Sequence, residues 1–101
     1  MSYRVRYYSV YEPATEKSVS HSDTVTCYTV TYDGATIVTG SADMSLKVWE
    51  VASAKITQVL VQHEGPIVCV GTAALASSLV ISGSQDHDAI IWYLSRVRRG
   101  A

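Results

Sequence analysis

The chain reads as an all-β molecule made of repeated antiparallel four-stranded units, and three features of its 101 residues predict this. The first is self-similarity. His21, Val25 and Cys27 fall on His63, Ile67 and Cys69 at an offset of 42 (21 to 63, 27 to 69). Gly40, Ser41, Asp43 and Trp49 then fall on Gly83, Ser84, Asp86 and Trp92 at an offset of 43 (40 to 83, 49 to 92). One inserted residue near 73–78 accounts for the change of offset, and a period of this length belongs to a unit of about four strands. The second feature is composition: residues 25–32, 37–41, 46–51 and 56–61 are rich in β-branched and aromatic side chains, which suit a pleated, packed surface. The third is the brevity of the connectors. Asp33-Gly34, Ala42-Asp43-Met44 and Ala52-Ser53-Ala54 are short segments of small or polar residues fit for tight antiparallel turns.

Taken in order, the elements divide as follows. Residues 1–20 are assigned to the third and fourth strands of a preceding unit. Val5-Arg6-Tyr7-Tyr8-Ser9-Val10 is similar to Leu46-Lys47-Val48-Trp49-Glu50-Val51, with Tyr8 where Trp49 stands, so residues 3–10 become a third strand. Residues 16–20 become the fourth, after a turn around Pro13, which cannot donate to a ladder. Residues 21–62 form a complete unit of four strands. Residues 63–94 repeat its first three strands, at 67–72, 79–84 and 89–94, and lack the last. Residues 95–101 are a basic tail containing Arg96, Arg98 and Arg99, read as a solvated end. Val48 beside Trp49 and Ile91 beside Trp92 put apolar groups on both faces of a strand, as expected for sheets covered on each side.

Charge and composition narrow the function classes. With eight Lys and Arg against nine Asp and Glu, the net charge is −1, which offers no broad positive surface to nucleic acid or to an anionic membrane. No stretch approaches the roughly 20 apolar residues that span a bilayer, and Arg4 and Arg6 precede tyrosines rather than a hydrophobic signal core. The expectation is a soluble, cytoplasmic protein without nucleic-acid or membrane partners.

Val38-Thr39-Gly40-Ser41-Ala42-Asp43 followed by Leu46-Lys47-Val48-Trp49-Glu50, and Val80-Ile81-Ser82-Gly83-Ser84-Gln85-Asp86 followed by Ile90-Ile91-Trp92-Tyr93, are the residues that carry a resemblance. On them, 21–51 and 63–94 resemble WD40 repeats, whose four-stranded blades assemble into β-propellers. The resemblance implies a hydrogen-bonded relay in each blade, over His21, Thr39, Asp43 and Trp49 and over His63, Ser82, Asp86 and Trp92. In it the carboxylate accepts from the imidazole, the imidazole bonds the hydroxyl, and the hydroxyl receives the indole N–H. Such a network contributes about one to a few kcal/mol per blade and is structural. Departures occur at the opening, Ser20-His21 and Gln62-His63 in place of Gly-His, and at the close, Trp49-Glu50 and Trp92-Tyr93 in place of Trp-Asp.

Catalytic readings fare poorly. His21-Ser22-Asp23 holds the ingredients of a hydrolase triad, but neighbours in sequence do not line up nucleophile, base and orienter. Gly83-Ser84-Gln85 lacks a nucleophile elbow. Asp86-His87-Asp88 contains metal-ligand types, yet consecutive side chains diverge and a solvated turn is expected. No phosphate loop, Cys-x-x-Cys pair or dinucleotide fingerprint occurs, so no metal or cofactor is expected. Cys27 and Cys69, in equivalent places of adjacent blades, should lie about 10 Å apart, too far for a disulfide, and are expected as buried free thiols.

Propellers use about four to eight blades and this sequence encodes little more than two, so the array is expected to be open and incomplete. Bare strand edges and blade faces predict a poor monomer. The favoured expectation is a fragment or short form of a larger propeller protein; the other is a subunit that closes a ring with further WD repeats or copies of itself. The resemblance implies a scaffold or adaptor that binds other proteins, not an enzyme, with Met44, Gln85 and His87 as candidate contact residues in its loops. The alternative is an accessory substrate-binding segment of a multidomain enzyme whose catalytic domain lies elsewhere.

Overall fold

The computed structural model of the chain describes residues 4–11, 13–14, 20–73 and 76–94. Eight strands run β1 (Arg4–Val10), β2 (Val25–Val30), β3 (Thr36–Ser41), β4 (Leu46–Glu50), β5 (Lys55–Leu60), β6 (Ile67–Ala73), β7 (Ala76–Ser84) and β8 (Asp88–Leu94), and the described residues contain no helix. They form two four-stranded sheets, in the orders β2-β3-β4-β5 and β1-β8-β7-β6. The first is an antiparallel meander drawn from one repeat. In the second, β6, β7 and β8 are antiparallel neighbours, as the second repeat requires.

Local chemistry sets the turns. After β2 the Thr31 hydroxyl donates to Asp33 Oδ1 at 2.7 Å, that same oxygen accepts from the Ala35 N–H at 3.0 Å, and Gly34 takes a φ of 71° that favours glycine. This ends β2 at Val30 rather than Tyr32. The irregularity of register between Val25 and Cys27 recurs between Ile67 and Cys69, so the first strand of each repeat enters its sheet through the same bulge. The inserted residue of the second repeat is absorbed at the β6–β7 hairpin, where the register shifts again at Thr72/Ala73.

The N-terminal assignment is corrected. β1 does not belong to a preceding blade; it pairs with β8, in parallel, from Arg4 opposite Asp88 to Val10 opposite Leu94. The outer edge of β8 would otherwise leave a row of backbone groups unpaired, and β1 satisfies them. Its side chains suit the place: Tyr8 lies opposite Trp92 with ring centroids 5.6 Å apart, and Arg4 and Arg6 each reach Asp88, at 2.9 and 3.0 Å. The likeness of residues 5–10 to a third strand reflects a shared apolar spacing, which fits this edge equally well. Onward, the Ala14 N–H donates to the Thr57 carbonyl at 2.7 Å, so the N-terminal segment touches both sheets. The fourth strand expected at 16–20 falls almost wholly outside the described residues, as do Arg96, Arg98 and Arg99 of the tail.

The core lies between the sheets. Val38, Leu46, Val48 and Leu60 from the first meet Ile67, Val80, Ile90 and Trp92 from the second, all buried. The contact is close enough to demand a glycine. A Cβ on Gly40 would stand 2.6 Å from Ile67 Cγ2 and 2.7 Å from Cys27 Sγ. Thr26 Oγ1 donates across the joint to the Ile67 carbonyl at 2.6 Å, and Gln58 Nε2 donates to the Val10 carbonyl at 3.3 Å.

The outer faces are bare. Tyr28 and Val30 on the first sheet and Val5, Tyr7, Ile81 and Tyr93 on the second are exposed. Cys27 and Cys69 are free; Cys27 is half-buried and Cys69 exposed. The expectation of two buried thiols therefore fails for Cys69, because no sheet among the described residues covers its side of the second blade.

Candidate functional site

Each blade is organised around one polar relay. In the first, Asp43 Oδ2 accepts from the Nδ1 of His21 at 3.0 Å, His21 Nε2 is 2.7 Å from Thr39 Oγ1, and the Trp49 indole N–H donates to that hydroxyl at 2.9 Å. In the second, the distances are 3.0 Å for Asp86–His63, 2.7 Å for His63–Ser82 and 2.8 Å for Trp92–Ser82. The proton count closes with a neutral imidazole carrying its hydrogen on Nδ1: the hydroxyl donates to Nε2 and accepts from the indole. The structure thus brings together, in two sets, all eight residues that the resemblance singles out.

The sets differ in burial. The His63 side chain is fully buried, Ser82 and Trp92 are 1% exposed, and the first sheet lies over them. Trp49 is only half-buried, because its side of the first sheet is open.

The aspartates also tie the relay to the turn that follows the second strand of each repeat. Asp43 Oδ2 accepts from the Ser22 N–H at 3.0 Å, while Oδ1 accepts from the Ser45 N–H at 2.9 Å and from the Ser45 hydroxyl at 2.6 Å. Asp86 accepts from the N–H groups of Glu64 and Asp88, both at 2.8 Å. Partial burial pushes both carboxyls up, but these hydrogen bonds outweigh it. Asp43 lies well below the usual carboxylate range and Asp86 is held at about 2. Ser41 and Ser84 complete the brace: their hydroxyls accept from the N–H of Asp43 and of Asp86 and donate to the Thr24 and Gly65 carbonyls. Sequence reasoning passed over Ser41, Ser84 and Ser45. The recurrence of Ser41 as Ser84 was a signal that could have found the first two.

These braced turns carry the candidate contact residues. Met44 and His87 occupy equivalent positions with φ of 75° and 71°, a left-handed conformation unusual for residues other than glycine. Met44, Gln85 and His87 are all exposed. Asp86, His87 and Asp88 do not converge. Asp86 serves the relay, His87 faces outward, and Asp88 is buried beneath Arg4 and Arg6. The solvated turn expected at Asp88 is corrected, since arginines of β1 cover it. Nor do His21, Ser22 and Asp23 form a triad: His21 is turned toward Asp43 and Thr39, and Asp23 Oδ1 accepts from the Thr24 N–H.

The geometry agrees with comparison to known proteins. A family model described as WD40, "WD domain, G-beta repeat", matches residues 14–50. The chain is 35% identical over 81 residues to Beige protein homolog 1 of Schizosaccharomyces pombe, a match covering 75% of this chain and 3% of that protein. It is 29% identical over 79 residues to Mitochondrial division protein 1 of Aspergillus oryzae, covering 78% of this chain and 12% of that one. With WD repeat- and FYVE domain-containing protein 4 of Mus musculus it shares 35% identity over 72 residues, 64% of this chain and 2% of the relative. The chain therefore spans a small part of the relatives it matches.

Proposed function

Because this is a WD40-repeat chain, we propose that it acts as a scaffold, holding other proteins on the loops of two rigid blades. A WD40 repeat is in general a protein-interaction module, and the scaffold reading needs only surface loops fixed in place. The observation that carries it is the pair of turns at Met44 and His87. Each holds an exposed, non-glycine side chain in a left-handed conformation, a strain of about 1–2 kcal/mol that a glycine would relieve. Each is anchored through its neighbouring aspartate to the blade's relay. Side chains kept at such positions on a rigid frame suit recognition, since little order is lost on binding. The exposed thiol of Cys69 suits a reducing compartment, and we place the protein in the cytoplasm.

The test replaces both residues, Met44→Gly with His87→Gly. Relief of strain should leave thermal stability unchanged or slightly raised. Proteins cross-linked to the wild-type chain in cell extract, quantified by mass spectrometry, should be lost or sharply reduced for the double variant. An unchanged set of cross-linked proteins would defeat the assignment of these turns as contact sites.

A further inference from the structure

The turns at Met44 and His87 differ in the residue that follows, and the difference ties one of them to β1. After Met44 comes Ser45, whose N–H and hydroxyl both donate to Asp43 Oδ1, at 2.9 and 2.6 Å. After His87, at the equivalent place, comes Asp88. Its N–H repeats the first bond, to Asp86 Oδ1 at 2.8 Å, but a carboxylate has no proton with which to repeat the second. The second turn thus lacks one bond and carries two carboxylates two residues apart, which repel each other. Both deficits are met from β1. Arg4 donates to Asp88 through Nε at 3.2 Å and Nη2 at 2.9 Å, and Arg6 Nε lies 3.0 Å from Asp88 Oδ2. Arg6 reaches further: its Nη2 stands 4.0 Å from Asp86 Oδ2, the oxygen that accepts from His63, and donates to the Gln62 carbonyl at 3.0 Å. One side chain therefore touches the residues on both sides of His87.

We infer that Arg4 and Arg6 are positioning residues for the His87 turn, standing in for the hydroxyl that braces the Met44 turn, so that the order of one turn depends on β1 and that of the other does not. The first turn is braced within its own blade, by bonds between residues two apart. The second is braced by charges from the far end of the sequence, 84 positions away for Arg4. The Arg4 side chain is 65% exposed, within reach of solvent ions. Salt, or displacement of β1 from the edge of β8, therefore loosens the His87 turn and spares the Met44 turn. Its consequence for partner binding rests on the scaffold reading: a protein that needs both turns is released when β1 leaves, and one held at Met44 alone stays.

Hydrogen exchange of backbone amides, followed by nuclear magnetic resonance on the whole chain with no partner present, compares the turns directly. The His87 and Met44 N–H groups make the same bond, to the Ser84 and Ser41 carbonyls, both at 3.2 Å. In Arg4→Gln/Arg6→Gln the His87 amide should exchange at least about fivefold faster, with the Met44 amide unchanged. In wild type, raising salt from about 0.05 M to about 0.5 M should move His87 the same way by about twofold and leave Met44 alone. Rescue separates positioning from a general loss of stability. Adding Asp88→Ser to the arginine variant supplies a hydroxyl where the first turn has one, and should return His87 exchange to within about twofold of wild type with the arginines still missing. A His87 amide indifferent to the arginines or to salt, a response shared equally by Met44, or no rescue by Asp88→Ser would each overturn the proposal. Cross-linking in cell extract separates this from the scaffold reading: the arginine variant should lose the same proteins as His87→Gly. If exchange responds as stated and cross-linking does not, the positioning stands and the scaffold reading of this turn falls.

Discussion

At the scale of single residues, the two relays are chemically alike but differently covered, and burial decides what each contributes. Removing the Ser82 hydroxyl leaves His63 Nε2 and the Trp92 N–H without their partner in a site closed to water. Ser82→Ala should therefore cost about 2–4 kcal/mol. Thr39→Ala strands the equivalent groups beside a half-buried Trp49, where water can replace the hydroxyl, and should cost about 1–2 kcal/mol. Urea denaturation measures both, and equal costs would show that the cover supplied by the first sheet is immaterial. The aspartates add a pH dependence of definite sign. Asp86 is held at about 2 and Asp43 is also lowered from 3.8, so between those values the unfolded chain binds more protons than the folded one. Their stabilisation is complete above the unfolded value and drains away as pH falls through the folded one. The melting temperature should be level above about pH 5 and fall steeply between pH 4 and 2, and the Asp43→Asn/Asp86→Asn pair should flatten that limb. At this scale the sequence was most informative, because polar residues recurring at matched offsets carried the family resemblance that implies the relay. Ser45 stayed hidden because its counterpart is Asp88, which does different work beneath two arginines.

Among elements, the closest contact is backbone against side chain at the blade joint, and three glycines grade it. Gly40→Ala forces a methyl against Ile67 and Cys27, both hemmed in by the joint, and should cost about 2–3 kcal/mol. Gly83→Ala meets only the sulfur of the exposed Cys69, which can swing aside, and should cost about 1 kcal/mol or less. Gly71→Ala meets nothing within 4 Å and should gain about 0.5 kcal/mol through the lower chain entropy of alanine. Melting temperatures of the three variants test the order, and a Gly40→Ala protein no weaker than Gly83→Ala would mean the blades are not in tight contact. Strand positions from residue 25 to residue 94 were legible because composition and turn chemistry act locally. The place of β1 was not. Its parallel pairing with β8 is decided by which edge stands open once the second repeat has folded, by Asp88 awaiting Arg4 and Arg6, and by Trp92 awaiting Tyr8. Each of those partners is more than 80 residues away in sequence.

For the whole molecule, the decisive fact is that the two sheets share one core. Val38, Leu46, Val48 and Leu60 form one buried cluster with Ile67, Val80, Ile90 and Trp92, and Tyr8, Val10, Cys27, Val70 and Leu94 pack around its margin. The repeats at 21–62 and 63–94 are units of sequence rather than of stability, because a blade alone would have its core residues facing water. Unfolding one sheet while the other stays intact would uncover the buried apolar face of the survivor, so partial states should be sparsely populated. The two tryptophans make this measurable, since Trp49 belongs to the first sheet and Trp92 to the second. In Trp92→Phe the remaining indole reports on the first sheet; in Trp49→Phe it reports on the second. Within each variant, tryptophan fluorescence and far-ultraviolet circular dichroism should trace the same urea transition, even though the midpoints of the two variants differ. If fluorescence in Trp92→Phe changed before the dichroism, the first blade would be opening alone, and the shared core would not be what holds it.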